Sequence, residues 1–300
     1  MSILANVIRR DLKLFFKDKG MFFSALITPM ILLVLYATFL ANVYRDSFAS
    51  ALPEGVNIAD KIIDGTVVSQ LISALLAVSC VTVSFCANLL MIQDKANGSI
   101  RDFLVTPVKR PVIAAGYFIA SAASTLIVTF SALAVCLAYL STQGWFMTFP
   151  DVLAVMLDVF LLTLFGTSLS SCVNFFLNTN GQASAVGTII SAGYGFICGA
   201  YMPIASFGEG LQKVLSFFPG TYGTCLLKNH MMRGAFAAME SEGFPAEVVD
   251  AIKTSVDFNI YFFGNKIPVG VMYAVLIGSV ALFTGLFVLF HVLKKDAKKA

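Results

Sequence analysis

The sequence predicts an all-α membrane protein: six transmembrane helices, an N-terminal amphipathic interface helix, a short cytoplasmic helix between the second and third spans, and an outer re-entrant hairpin before the last span. Three observations predict it. Of 300 residues, 58% are hydrophobic and 12% charged, whereas a soluble domain carries roughly 25% charged residues. Too little polar surface remains to cover a globule in water, so lipid must cover it. Six stretches reach the ~20 apolar residues that a helix needs to cross hydrocarbon. The Lys and Arg residues gather on one side of those stretches, as cytoplasmic loops require.

The elements follow in chain order. Residues 1–20 form an amphipathic helix: at about 100° per residue, Leu4, Ile8, Leu12 and Phe15 share one face, and Arg9, Arg10, Lys13 and Lys17 the opposite one. Such a helix lies on the inner membrane surface. It serves either as a lipid anchor or as a docking surface for a cytoplasmic partner. Residues 21–300 carry the spans, at about 21–43, 65–92, 111–140, 152–177, 183–202 and 267–293. A seventh apolar stretch, 207–233, is broken by Pro219, Gly220 and Gly223 and carries Glu209, Lys213, Lys228 and Arg233. It reads as a re-entrant hairpin. Residues 234–266 are polar and form an outer cap, in which Pro245 opens a helix running through Asp257. A solvated cover and a substrate receptor are both open readings of that cap.

Orientation follows from charge. The N-terminal segment (Arg9, Arg10, Lys13, Lys17, Lys19), the loop after the second span (Lys95, Arg101, Lys109, Arg110) and the C-terminus (Lys294, Lys295, Lys298, Lys299) hold thirteen of the twenty basic residues. Both termini are therefore expected in the cytoplasm. The first apolar run is too long for a signal-peptide core, so no cleavage is expected at Ala49-Ser50-Ala51. A net charge of +3 gives no reason to expect nucleic acid.

The chemistry of a site is sparse. No GxxxxGK[ST] phosphate loop, HExxH or GxSxG occurs, so neither P-loop ATP binding nor those hydrolytic chemistries are expected. The six Cys form no CxxC pair, and no disulfide framework or metal site is predicted; only Cys225 is expected near the outer surface. Asp158 is the ionisable residue inside a span, seven residues from Asp151 at the outer end. An intramembrane acid marks a functional site or a structural pair. Gln70, Asn88 and Asn174 are further intramembrane polar residues. In the fifth span Ala183, Gly187, Ser191, Gly195 and Gly199 repeat every four residues. That stripe lets a helix approach its neighbour closely, within one subunit or at a dimer axis or pathway that Phe196 and Tyr201 would narrow.

Two motifs carry more. The loop 94–110 contains Gly98-Ser99, Asp102, Phe103-Leu104, Thr106-Pro107 and Lys109-Arg110. Ser99 can cap a helix that Pro107 must end, and Phe103 and Leu104 are apolar residues on a charged loop. After the fifth span come Gly199-Ala200-Tyr201-Met202-Pro203, then Leu211, Pro219-Gly220-Thr221-Tyr222 and Arg233. In order and spacing these resemble the type-2 ATP-binding-cassette (ABC) exporter permeases of bacteria, over essentially the whole chain. Two departures stand out: Ala96 where the family often has Glu, and Arg101 where an acid is common, with Asp102 beside it.

The resemblance implies a permease subunit of an ATP-driven exporter in the plasma membrane. It implies a second permease chain, the same or homologous, and two ABC ATPase subunits. ATP and Mg would be bound by those subunits, with no cofactor and no catalytic residue in this chain. The loop 94–110 would be the coupling loop, and Arg9, Arg10, Lys13 and Lys17 would help dock the ATPase. An ATPase-independent channel or secondary carrier is the alternative. The loop itself also admits a plain connector helix lying on the membrane.

Overall fold

A computed structural model describes residues 3–40, 42, 45, 60–100 and 110–296. Its helices are α1 (Ile3–Lys17), α2 (Lys19–Leu35, continued by a π turn Tyr36–Leu40), α3 (Asp60–Ala87), α4 (Leu89–Ala96), α5 (Arg110–Gln143), α6 (Phe149–Phe176) and α7 (Asn180–Ile197). They continue as α8 (Glu209–Leu215), α9 (Pro219–Ser241), α10 (Ala246–Ser255) and α11 (Val269–Asp296). A 3-10 turn, Ile204–Ser206, precedes α8. The strands β1 (Tyr261–Phe262) and β2 (Asn265–Lys266) make a two-residue antiparallel ladder, the one departure from an all-helical chain among the described residues.

Four of these segments are long and apolar enough to cross a membrane: Asp60–Ala96, Pro111–Gln143, Phe149–Phe176 and Val269–Leu293. The pair α1 and α2, bent by 75° between them, makes a fifth if counted together. The expected spans at 65–92, 111–140, 152–177 and 267–293 thus correspond to helices of that kind. The expected span at 183–202 corresponds to α7, which has 18 residues and is diluted by Asn180, Gln182 and four glycines. It is not among the helices that qualify.

α3 is the central helix. Almost all of its residues are buried, whereas α11 leaves one side exposed, with Ile277, Leu282 and Val288 on it. It packs on α5, α6, α9 and α2. Its hydroxyls turn inward onto their own backbone, as Thr66 Oγ1 donates to Ile62 O at 2.7 Å and Ser79 Oγ to Leu75 O at 2.7 Å. This satisfies buried polar groups where no water can. Gly166 of α6 brings that helix against α3, since a Cβ there would stand 2.8 Å from Cys80 O. Close backbone approach at small residues is the usual means of helix association without a hydrophobic drive.

The breaks have local causes. Asp18 ends α1 and caps α2, its Oδ1 accepting from Met21 N at 3.1 Å. At Asn88 the α3 axis gives way to α4. Thr148 and Asp151 close a capping box at the start of α6, Asp151 Oδ2 accepting from Thr148 N at 2.9 Å and Thr148 Oγ1 at 2.6 Å. Thr179 and Gln182 do the same for α7.

The apolar stretch expected as a broken hairpin is two helices. Pro219 does not interrupt α9 but opens it at the first position, where its missing N–H costs nothing. α9 then runs 23 residues antiparallel to α6, buried along most of its length, and ends beyond 233 inside the expected cap. The cap helix α10 stops at Ser255, short of Asp257, because Asp257 takes a left-handed backbone (φ 56°). Cys225, expected near the outer surface, is buried on α9.

Candidate coupling and pathway sites

The first cluster lies where α1, α4, α5 and α6 meet. Asp94 on α4 accepts from both terminal nitrogens of Arg10 (2.5 and 2.9 Å) and from Tyr117 Oη on α5 at 2.5 Å. The bidentate fork is the strong form of an Arg–carboxylate contact. Arg10 Nη1 also donates to Asp11 at 2.9 Å, while Asp11 Oδ2 is buried with no hydrogen-bond partner. Burial pushes the Asp11 carboxyl up to about 6, with Arg10 opposing the shift. The hydrogen bond to Asp94 drives the Arg10 guanidinium pKa further up. The next residue, Lys95, donates to Asn174 O (2.9 Å), Phe175 O (2.9 Å) and Leu177 O (3.0 Å). These carbonyls lie at the end of α6, where a cation also suits the helix dipole.

Asp94 and Lys95 therefore tie one short helix to three others. Two residues past α4 comes Gly98, whose φ of 79° only glycine adopts without strain. Ser99 follows it. Asp102, Phe103, Leu104, Thr106 and Pro107 lie outside the described residues.

The basic face of α1 differs from expectation. Arg9, Lys13 and Lys17 are exposed, but Arg10 turns inward to Asp94. The buried line is Val7, Asp11 and Phe15; Phe15 belongs to the expected apolar face, whereas Leu4, Ile8 and Leu12 lie one residue round from that line. It packs on α5, with Val7 against Gly116, so the helix rests on protein along this line.

The second cluster lies toward the cap. Asp158, with no exposed surface, sits 2.6 Å from His230 Nδ1 on α9 and 2.6 Å from Tyr273 Oη on α11. The His230 and Tyr273 rings stack. One turn further along α9, Arg233 pairs with Asp151 at the start of α6. One half-turn before His230, the buried Lys228 donates to Gly199 O at 2.8 Å and stands 3.5 Å from Asp257. Each basic group on the buried part of α9 is thus matched by an acid, which is what lets this polar helix enter the bundle.

Other predicted polar residues fall between the clusters. Asn88 Nδ2 donates to Ser170 (2.9 Å) and Ser171 (2.7 Å), and its Oδ1 accepts from Ser121 at 3.3 Å. Gln70 is buried on α3. Asn174 gives its carbonyl to Lys95, and its Nδ2 is buried without a partner.

The small-residue stripe of α7 does not act as one surface within the chain. Ala183 is buried, Gly195 lies under the Tyr201 ring, and Gly199 ends the helix in a left-handed turn (φ 73°). Tyr201 Oη reaches Ser191 O at 3.4 Å. Gly187 meets no atom that a Cβ would touch. Phe196 is 51% exposed, its edge against Tyr201. Ile189 on α7, Phe23, Ile27, Met30 and Val34 on α2, and Ile277, Leu282 and Val288 on α11 are also exposed, so these three helices carry uncovered apolar faces.

A model of the family described as ABC-2 type transporter matches residues 4–232, from α1 through the greater part of α9. No curated protein matches the chain.

Proposed function

The chain belongs to the ABC-2 type transporter family and is a multi-pass permease subunit, and we propose that it serves an ATP-driven exporter whose ATPase is a separate chain. In this reading α2, α3 with α4, α5, α6, α7 and α11 are the six spans. Both termini are cytoplasmic, the membrane is the plasma membrane, and α8 with the start of α9 forms the re-entrant hairpin. ATP and Mg belong to the partner ATPase. A second permease chain, identical or homologous, completes the path, with the uncovered faces of α2 and α7 toward it.

The observation that carries the reading is the pair Asp94 and Lys95 at the foot of the loop 94–110. A loop that merely connects two spans needs no such anchorage. Here a displacement of the loop moves α4, and α4 grips α1 and α5 through Asp94 and the end of α6 through Lys95. Closure of ATPase subunits beneath the loop would thus reach three spanning or membrane-adjacent helices through rigid, charged contacts. Phe103 and Leu104 supply the apolar surface that an ATPase groove would bury. Arg9, Lys13 and Lys17 remain exposed for docking, while Arg10 acts from inside.

The test is co-purification of this chain with its candidate ATPase, followed by ATP turnover with and without Phe103→Ala. Loss of assembly or turnover in the variant supports coupling through the loop. A chain that binds no ATPase, yet passes solute, is a channel or secondary carrier instead.

A further inference from the structure

We propose that the cavity between the end of α7, α9 and the cap binds one small neutral polyhydroxy molecule, of about the size of a single sugar ring. The inference stands apart from ATPase coupling and depends on different residues.

The cavity measures about 240 Å³ and is walled by five chain segments: the end of α7, the 3-10 turn, α8, α9 and the stretch 254–261. At roughly 30 Å³ per water it has room for several waters. It is smaller than the ~300–1,000 Å³ of drug-sized pockets. The walls are held by a built core. Asp257, in its left-handed backbone, accepts from Ile204 N at 2.5 Å and Ala205 N at 3.1 Å, and stands 3.5 Å from Lys228. A strained residue held by several bonds is the mark of a site fixed in advance.

The chemistry of the wall selects the ligand. Lys228 and Asp257 offset each other, so an ion entering the cavity finds no unmatched charge to repay its lost hydration. The neutral groups lean toward acceptors. Thr224 Oγ1 gives its proton to Gly220 O at 3.1 Å. Gln212 Nε2 donates to Phe207 O at 2.7 Å and Ala205 O at 3.3 Å, which commits its donors and leaves its Oε1 as an acceptor. Hydroxyls whose protons are already committed offer lone pairs only. An acceptor-rich, charge-balanced wall of this size is met by a ligand rich in hydroxyl donors, with Asn259 and Tyr261 at hand to donate in return.

The full chain, purified in a detergent without a sugar headgroup, is titrated calorimetrically with D-glucose, D-galactose and myo-inositol, and in parallel with choline, glycine and inorganic phosphate. Calorimetry is chosen because sugars stabilise proteins without binding, by exclusion from the surface. The proposal expects saturable binding of at least one polyol and none of the charged probes. It expects about tenfold weaker binding in Thr224→Val combined with Gln212→Leu, a loss of ~1.4 kcal/mol. If that pair lowers the unfolding midpoint without ligand, Tyr261→Phe at the exposed rim is read instead, with weaker polyol binding expected. No saturable polyol binding, equal affinity in the variants, or preference for a charged probe would overturn it.

Discussion

His230 Nδ1 and Tyr273 Oη each stand 2.6 Å from an oxygen of Asp158, so side chains of two other helices satisfy a carboxylate that has no exposed surface. Removing one partner leaves the other buried without its hydrogen bond. Asp158→Ala and His230→Ala should each lower stability by about 1–3 kcal/mol. The double change Asp158→Ala with His230→Ala should lose much less than the two single losses combined. Unfolding of the detergent-solubilised chain measures all three. Strictly additive losses would show that the two residues do not act as a pair.

Asp11 makes stability depend on pH in a definite direction. Burial raises its carboxyl to about 6 in the folded chain, facing Arg10 on its own helix, Asp94 on α4 and Tyr117 on α5. A raised carboxyl pKa means that the folded chain keeps a proton which the unfolded chain releases between about pH 4 and pH 6. Stability should therefore rise as pH falls through 6, and the destabilisation should be complete above it. The separation corresponds to about 3 kcal/mol at most. Asp11→Asn should flatten that slope between about pH 4 and pH 6. An unchanged slope would assign it to another group.

Much of this was legible in the sequence, and the exceptions share a cause. Continuous apolar runs located α5, α6 and α11 to within a few residues, because a span needs nothing more than length and apolarity. The family motifs led to the same family that the comparison shows. What periodicity missed were polar side chains satisfied at long range. Asp94 was counted in a loop because its partner Arg10 lies 84 residues away. α9 was divided because Lys228 and Arg233, with Pro219, Gly220 and Gly223, made the stretch look too polar and too interrupted to bury. The signal was present in the acids Asp151, Asp158 and Asp257, but the sequence does not say which acid meets which base. Pro219 looked like a break for the same reason: without knowing where a helix begins, a first-position proline cannot be told from an interior one.

Lys95 should contribute to the integrity of the α6 end. It is shared among three carbonyls, and hydrogen bonds to a charged group contribute about 1.5–3 kcal/mol each at most. Lys95→Met keeps the aliphatic stem and removes the donors. Faster amide hydrogen exchange is expected at residues 172–182 in that variant, with residues 60–80 of α3 unchanged. Exchange that rises equally in both regions would indicate general loosening and remove Lys95 as a local clamp.

Arg10 and Asp94 offer the sharpest separation between a structural and a transmitting role. Arg10→Lys keeps the charge and loses the fork, since an ammonium cannot make the two parallel bonds. If the contact only holds α1 in place, Arg10→Lys should lower the unfolding midpoint slightly and leave ATP turnover by the assembled complex unchanged. If it carries motion from the loop, substrate-stimulated turnover should fall by about tenfold, or ~1.4 kcal/mol in the coupled step, while ATPase binding persists. The exchange Arg10→Asp with Asp94→Arg should restore part of that turnover, because the pair reforms with its ends reversed. Tyr117→Phe, which removes only the third donor to Asp94, should produce a smaller fall. The ordering Arg10→Lys below Tyr117→Phe below the unaltered chain is the result that a direct Arg10–Asp94 linkage requires, and the reverse ordering would move the transmission to α5.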